Sequence, residues 1–362
     1  MEVKGKERAL ATLFFEKADR VPLLGGMVEN AAWLEKASGM KMKYWFTLHR
    51  WENPMRAALK AYKKVGADVM RGPILLPKSP FRQSAARAFD LRYKTAEDVL
   101  KCIDQLPSLS ELKADFDFEY IYNAFLNNVK ESQEECGEDI LWSEDYAGKA
   151  CSFQWYLVFG YRPFLTACIR YKEEMEKLFK YSAEEAYLNN QAIAKAITEN
   201  DLPPFLRFGE DICTEQGPML SPTRMDEIYF PHLRRSLEPL QNENIRVIWH
   251  SDGNIMPIIN RLIDVGIDGF QGFQEETGPQ LELLVKLKTK SGRKPIIWGS
   301  ISVSRTLPFG TTEDVKNDII RCVRIAAPGS GFVLAPSSSV GPEVPMENIF
   351  AFFRYGKKYG NV

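Results

Sequence analysis

Eight short segments of the chain are rich in apolar, β-branched and aromatic residues, and longer segments with helical periodicity separate them. The eight segments are RVPLLGG (20–26), ADVMRGPIL (67–75), DILWSED (139–145), PFLRFGED (204–211), IRVIWHSD (245–252), IDGFQGFQE (267–275), PIIWGSIS (295–302) and GFVLAPSSS (331–339). Their apolar residues run on without strict alternation, which is typical of strands buried on both faces of a parallel sheet. Eight such strands, most of them followed by a helix, predict an α/β fold of the (β/α)8 TIM barrel class. A doubly wound open sheet is the competing interpretation, but no GxGxxG motif follows the first strand.

The segments between the strands carry helix start signals. Ser221 is a candidate N-cap with Pro222 in the first helical position. Thr311 and Asp314 have the spacing of a capping box. Residues 172–200 carry a long amphipathic pattern. We expect a helix at each of these places.

Two regions of the chain are additional to the strands and helices of a minimal (β/α)8 barrel. Residues 27–51 form an N-terminal segment rich in aromatic residues, and residues 80–138 contain a charged helical insertion. No internal repeat, low-complexity tract or Ser/Gly linker divides the chain. We therefore predict a single domain over residues 1–362.

Composition narrows the classes of function. The net charge is −1 and the Lys and Arg residues are spread along the chain, which argues against a nucleic-acid partner. The six cysteines include no CxxC pair, which favours reduced thiols and a cytoplasmic location. The first residues lack the apolar core of a signal peptide, and no apolar run reaches the roughly 18 residues that a membrane span needs.

Polar side chains follow the predicted strands where a barrel enzyme has its active site, at the carboxyl ends. We expect them to lie around a common opening. The candidate catalytic residues are His250, Asp252, Asp211 and Glu210. The candidate substrate-binding residues are Gln274, Glu275, Met27 and Ser300.

Each candidate also has a structural interpretation. A histidine after a strand is often a structural residue, but the barrel position favours a function for His250. Asp252, which precedes a glycine, could form a turn or cap a helix, and Asp211 could cap the loop that leads to residue 221. The other two histidines, His232 and His49, are interpreted as structural.

The order and spacing of several motifs resemble the uroporphyrinogen decarboxylase-like superfamily, which includes decarboxylases and cobamide-dependent methyltransferases. The motifs are KERALATLFFEKADRVP, GEDICTEQGPMLSP, WHSDGNIMPIINRLIDVGIDGFQ, WGSISVSRTLPFGTTEDV and APGSGFVLAPSSSVGPEVPMENI, which together extend over nearly the whole chain. This resemblance implies a (β/α)8 barrel, in agreement with the strand pattern.

The decarboxylase branch holds its polycarboxylate substrate with an arginine-rich stretch and has a catalytic aspartate soon after the first strand. Buried substrate carboxylates need such charge-assisted, bidentate partners. The matching stretch here, LLGGMVENAAWLEKASG, contains neither arginine nor aspartate. Porphyrinogen decarboxylation is therefore not expected.

The coenzyme M methyltransferases bind zinc through a histidine, a cysteine two residues later and a cysteine near the end of the chain. Those positions correspond here to His250, Asp252 and a residue near Ser338. Because both sulfur ligands are missing, a thiol-activating zinc site is not expected. A harder metal site that combines His250 with Glu210, Asp211 or Glu275 stays open.

The remaining branch transfers a methyl group from a small methylated substrate to the Co(I) of a corrinoid (cobalamin) carried by a partner protein. We expect O-demethylation of a methoxylated aromatic, because the aromatic residues of 27–51 and of SFQWYLVFGY (152–161) would suit an aromatic ring. Methanol and methylamines stay open as methyl donors. His250 would act as proton donor or metal ligand, Asp252 and Asp211 would orient it, and Gln274 and Glu275 would hold ring oxygens. A homodimer is compatible with this interpretation.

Three alternatives stay open from the sequence. The enzyme could move a methyl group from a methylated corrinoid to an acceptor, or decarboxylate a small carboxylate. It could also be a barrel without catalysis that only binds a corrinoid protein. The polar strand ends argue against the last alternative, because unused buried charge is costly.

Overall fold

The computed structural model describes residues 3–42, 54–72, 93–145 and 147–361. Within this part of the chain, each of the eight predicted segments contains a parallel strand. These strands are β1 Leu24–Gly25, β2 Val69–Gly72, β3 Leu141–Glu144, β4 Phe205–Gly209, β7 Arg246–His250, β8 Gly269–Gln271, β9 Ile296–Ile301 and β10 Phe332–Pro336. A short antiparallel hairpin adds β5 Cys213–Thr214 and β6 Gly217–Pro218. The strand prediction is confirmed.

Sixteen α-helices lie in the described ranges. They are α1 Gly5–Leu13, α2 Ala31–Ser38, α3 Met55–Val65, α4 Ala96–Ile103, α5 Leu109–Asp115, α6 Phe118–Cys136, α7 Tyr156–Phe159, α8 Tyr161–Arg170, α9 Lys172–Glu199, α10 Pro222–Ile228, α11 Phe230–Asn242, α12 Ile259–Val265, α13 Leu281–Leu284, α14 Thr306–Phe309, α15 Thr312–Ala326 and α16 Met346–Tyr359. None of these helices combines the length and the apolar character that crossing a membrane requires.

The chain forms two compact units. Unit 1 comprises Met1–Ser79, Val129–Asp145 and Gly269–Val362. It contains two parallel sheets, β3–β2–β1 and β8–β9–β10, which a parallel bridge between Leu23 and Leu334 joins. All four residues of β3 and all six of β9 are buried, as the continuous apolar segments predict.

Unit 2 comprises Pro80–Asn128 and Tyr146–Asp268. Its strands β4 and β7 pair in parallel, and the long helix α9 packs against α11. The predicted helical insertion is present as α4, α5 and α6, while its residues 80–92 lie outside the described residues.

The predicted helix starts are confirmed by hydrogen bonds. The Ser221 hydroxyl accepts the N–H of Arg224, and Thr311 and Asp314 bond each other's backbone N–H in a capping box. The segment after Ser221 forms two helices, α10 and α11, with Tyr229 between them. Pro231 accounts for the break, because proline has no N–H for the carbonyl four residues earlier.

The described part of the aromatic-rich segment contributes to the core. Trp33 is fully buried, with its ring 5.6–5.8 Å from those of Tyr62, Phe350 and Phe353. The remaining aromatic residues of this segment, and His49, fall within residues 43–53, outside the described residues.

Asp68, directly before β2, is the centre of a buried ion-pair network in unit 1. Arg8 of α1 donates to Asp68 Oδ1 at 2.7 Å, and Arg20 donates to Asp68 Oδ2 at 2.6 Å. The N–H of Leu23 bonds the same carboxylate at 2.9 Å. One carboxylate therefore connects α1, the chain before β1 and the start of β2.

We predict that Asp68→Asn lowers the free energy of unfolding by about 3 kcal/mol, because Arg20 loses its carboxylate partner while Arg8 keeps only Asp19. Urea denaturation followed by circular dichroism measures this change. Asp139→Asn is the matched control, since Asp139 and its partner Lys4 are both exposed on the surface of the same unit. Equal stability losses in the two variants would show that the Asp68 network does not stabilise unit 1.

Candidate active site

The candidate site is built where β4 and β7 end. The two strands pair from Phe205 with Arg246 to Gly209 with His250. Gly209 is required at this position, because a Cβ atom there would lie only 2.2 Å from the carbonyl oxygen and 2.4 Å from the nitrogen of His250. The close approach brings the residues that follow Gly209 next to those that follow His250.

Residues 250–254, HSDGN, form a turn that makes hydrogen bonds to the residues after β4. The Asp252 N–H donates to Asp211 Oδ1 at 2.9 Å. Gly253 adopts a φ of +83° that glycine tolerates, and a Cβ there would lie 2.6 Å from the Thr214 carbonyl oxygen. The next N–H, of Asn254, donates to that same carbonyl at 2.8 Å. Asp252 therefore forms part of a turn, and its carboxylate also belongs to the candidate site.

These contacts gather one imidazole and two carboxylates in unit 2. His250 Nε2 lies 3.7 Å from Asp211 Oδ1, and the ligand atoms of Asp211, His250 and Asp252 all lie within 4.8 Å of one another. All three residues are half-buried. One nitrogen and two oxygen donors at this spacing can hold a divalent cation of borderline or hard character.

Glu210 has a different environment from its neighbour Asp211. Its carboxylate accepts a hydrogen bond from the Phe153 N–H, while the Gln154 N–H donates to the nearby Ser152 hydroxyl. Burial raises the pKa of Glu210 to about 7, and the charge of Asp211 adds to this shift, while the polar groups of residues 152–154 oppose it. The structure therefore places Glu210 against the loop 152–154, outside the group formed by Asp211, His250 and Asp252.

Tyr156, which begins helix α7 directly after this loop, also contacts the site. Its hydroxyl donates to the carbonyl oxygen of Asp211 at 2.9 Å, and its ring stacks on Tyr161 with centroids 4.5 Å apart. Sequence reasoning missed this residue, because an aromatic side chain in an apolar segment gives no signal that its hydroxyl meets a backbone carbonyl far along the chain.

Two candidate substrate-binding residues, Glu275 and Ser300, contact each other in unit 1. Arg321 donates to both Glu275 oxygens at 2.7 and 3.1 Å, the Leu281 N–H donates to one of them, and the Ser300 hydroxyl donates to the other. This arrangement connects the loop after β8 with β9 and α15. Substrate binding by Glu275 and Ser300 stays a prediction.

The other two candidates, Met27 and Gln274, also lie in unit 1. The Met27 sulfur is 2.8 Å from Nη1 of Arg71, whose Nε lies 2.7 Å from Asp145 Oδ2. Gln274 is half-buried just before a short 3₁₀ helix, Glu275–Thr277. Sequence reasoning missed Arg71 and Asp145, although Arg71 is one of only two charged residues in the apolar segment 67–75, with Asp68.

No cysteine belongs to the group of metal-ligand atoms in the described residues. Cys213, two residues after Asp211, is buried, and desolvation raises the pKa of its thiol to about 12. The possible ligand atoms in the described residues are therefore oxygen and nitrogen, from Asp211, His250 and Asp252. Glu210 and Glu275, which the sequence also suggested for a harder metal site, lie outside this group, and metal binding stays a prediction.

The polar cluster lies at the carboxyl ends of two parallel strands, where barrel enzymes have their active sites, and comparison with known proteins supplies the family. Residues 154–359, more than half of the chain, match the model of the uroporphyrinogen decarboxylase (URO-D) family. The chain belongs to this family and has its (β/α)8 barrel fold.

A solved structure supports the same fold. A methyltransferase from Methanosarcina mazei superposes with a TM-score of 0.62 at 17% sequence identity, with 99% of each chain covered. At this identity the similarity establishes the fold alone. No protein with curated annotation matches the sequence.

We predict that Tyr156→Phe lowers the free energy of unfolding by about 1 kcal/mol, because the carbonyl of the half-buried Asp211 loses its hydroxyl partner. Tyr161→Phe is the matched control, since Tyr161 is about half exposed (54%) and stacks on the same ring. Chemical denaturation of both variants measures the difference. If the two variants lose the same stability, the bond from Tyr156 to Asp211 does not hold the end of β4.

Proposed function

We propose that this protein is a methyltransferase that removes the methyl group of a small methoxylated aromatic and transfers it to the Co(I) of a corrinoid carried by a partner protein. The observation that carries the proposal is the group of one imidazole and two carboxylates at the ends of β4 and β7. The similarity to a methyltransferase of the same fold supports it.

The chemical difficulty in such a reaction is the leaving group. The bond between the methyl carbon and the ether oxygen breaks, its electron pair stays on the oxygen, and a phenolate is a poor leaving group. The corrinoid substrate supplies a strong nucleophile whose electron pair forms the new bond to the methyl carbon. The protein's task is to align the two partners and to stabilise the departing oxygen.

His250 is suited to deliver a proton to that oxygen. Its Nε2 lies 3.7 Å from Asp211 Oδ1, so the carboxylate can orient the ring. The N–H of Asp252 fixes the same oxygen of Asp211. A proton held at His250 Nε2 between turnovers would neutralise the phenolate as it forms.

A divalent cation could perform the same task, and the residues fit one. Asp211, His250 and Asp252 would hold it with one nitrogen and two oxygen donors. A bound cation would act as a Lewis acid on the ether oxygen. This donor set favours an oxygen ligand over the thiolate that a sulfur-rich zinc site activates.

We expect His250→Ala to slow methyl transfer about a hundred-fold or more, because it removes both the proton donor and the central metal ligand. The assay mixes the protein anaerobically with Co(I) cobalamin and 2-methoxyphenol, and follows the loss of the Co(I) absorption band. His232→Ala is the matched control, because His232 lies half-buried in α11 and does not belong to the group formed by Asp211, His250 and Asp252.

Other outcomes distinguish the alternatives. Methyl transfer that survives in His250→Ala would contradict the proposed role of the histidine. Carbon dioxide release from a small carboxylate without corrinoid would identify a decarboxylase. Transfer from methylcobalamin to a thiol or phenol, with no reaction in the other direction, would identify an acceptor-side enzyme.

A further inference from the structure

A cavity of about 490 Å³ lies in unit 1 at the amino ends of β9 and β10. Residues 285–295 lead into β9 and residues 327–331 lead into β10, and both segments line the space together with the residues after α1. No residue of the candidate active site belongs to this lining. The cavity is therefore a second place at which the protein could receive a ligand.

The charge of this cavity is positive. Among the described residues, its lining contains three cations, Lys288, Arg293 and Lys294, and no carboxylate. All three come from the segment VKLKTKSGRKP (285–295), which has five cationic residues and no acidic one. Neither Lys288 nor Arg293 forms an ion pair with any residue that the structure describes. A cavity lined in this way attracts an anion.

Hydrogen bonds fix the loop that carries these cations. The buried Thr289 donates from its N–H and from its hydroxyl to the Arg293 carbonyl oxygen, at 2.8 and 3.1 Å. The Gly292 N–H donates in turn to the Thr289 carbonyl oxygen at 2.9 Å. These bonds close the loop on itself, so that Lys288 before the turn and Arg293 after it line the same cavity.

Lys294 is the least exposed of the three cations. Its ammonium group donates to the carbonyl oxygens of Ala326 and Pro328, at 2.9 and 2.7 Å, which uses two of its three N–H donors. Burial lowers the pKa of Lys294 to about 8, and no described carboxylate opposes this shift. An anion in the cavity would supply the counter-charge that this ammonium group lacks.

Phe15 gives the cavity an aromatic wall. It follows α1 with a φ of +61°, a conformation that glycine adopts far more readily. Its ring lies over Gly331, where a Cβ atom would come within 2.4 Å of the ring, and the Arg293 guanidinium carbon lies 5.8 Å from the ring centroid. Residues in such unfavourable backbone conformations cluster at ligand-binding sites. The aromatic wall and the cations therefore lie side by side.

We propose that this cavity binds an organic phosphate whose body is aromatic. Three cations without a counter-charge match the roughly two negative charges of a phosphate monoester better than the single charge of a carboxylate. Arg293 offers a planar fork and the two lysines offer compact charges, and both groups are common partners of phosphate oxygens. Phe14, Phe15 and Val285 would contact the ring of the ligand. The proposal does not depend on methyl transfer, because none of the proposed catalytic residues takes part in it.

Calorimetric titration of the full chain with phenyl phosphate tests the proposal. We expect Arg293→Met and Lys294→Met each to weaken binding about ten-fold or more, because each removes a charge-assisted hydrogen bond to the phosphate. Lys286→Met is the matched control, since Lys286 is an exposed cation of the same segment that does not line the cavity. We expect it to change the Kd less than about two-fold.

Two further probes complete the experiment. Inorganic phosphate, which lacks the ring, should bind at least about ten-fold less tightly than phenyl phosphate. Arg293 is exposed and makes no side-chain hydrogen bond to a described residue, so Arg293→Met remains a valid test if Lys294→Met fails to fold. Failure of the wild-type protein to bind phenyl phosphate would overturn the proposal. Equal losses in Lys286→Met and Arg293→Met would also overturn it, and so would preferential binding to phosphatidylserine vesicles, which would indicate a membrane-binding surface instead.

Discussion

The parallel pairing of β4 with β7 is the constraint on which the candidate site depends. Because Gly209 lies opposite His250, the residues after Gly209 meet the turn after His250, and a register shift of one residue would turn the side chains to the other face. Glycine at position 209 permits this approach, and the hydrogen bond from the Asp252 N–H to Asp211 connects the two strand ends. The chemistry of the site thus follows from the backbone pairing, with the side chains adding the donor atoms.

Much of this arrangement could be predicted from the sequence, because buried parallel strands are read from local composition. The eight apolar segments located the strands, and the rule that strand ends carry the site pointed to Asp211, His250 and Asp252. Partners far along the chain could not be predicted. The loop that binds Glu210 lies 57 residues before it, and the arginine that pairs with Glu275 lies 46 residues after it. No periodicity encodes such pairings, since they depend on how loops fold over the strand ends.

The chemistry of the donor atoms limits the substrates that the site would serve. Sulfur ligands suit soft metals and thiolate substrates, whereas imidazole and carboxylate suit harder cations and oxygen ligands. The thiol nearest in sequence, Cys213, is buried and lies outside the group of possible ligand atoms, so it does not replace the missing sulfur. An ether or phenolic oxygen is therefore a better match for this site than a thiol, which is the reason to favour demethylation over methylation of a thiol.

The consecutive carboxylates Glu210 and Asp211 show why adjacency in sequence does not imply a common role. The Asp211 side chain is 42% exposed and lies beside an imidazole, and the Asp252 N–H fixes its Oδ1. Glu210 is buried and accepts the Phe153 N–H, and burial raises the pKa of its carboxyl group to about 7. One carboxylate therefore belongs to the group of possible metal-ligand atoms, whereas its neighbour holds the loop 152–154 against the end of the same strand.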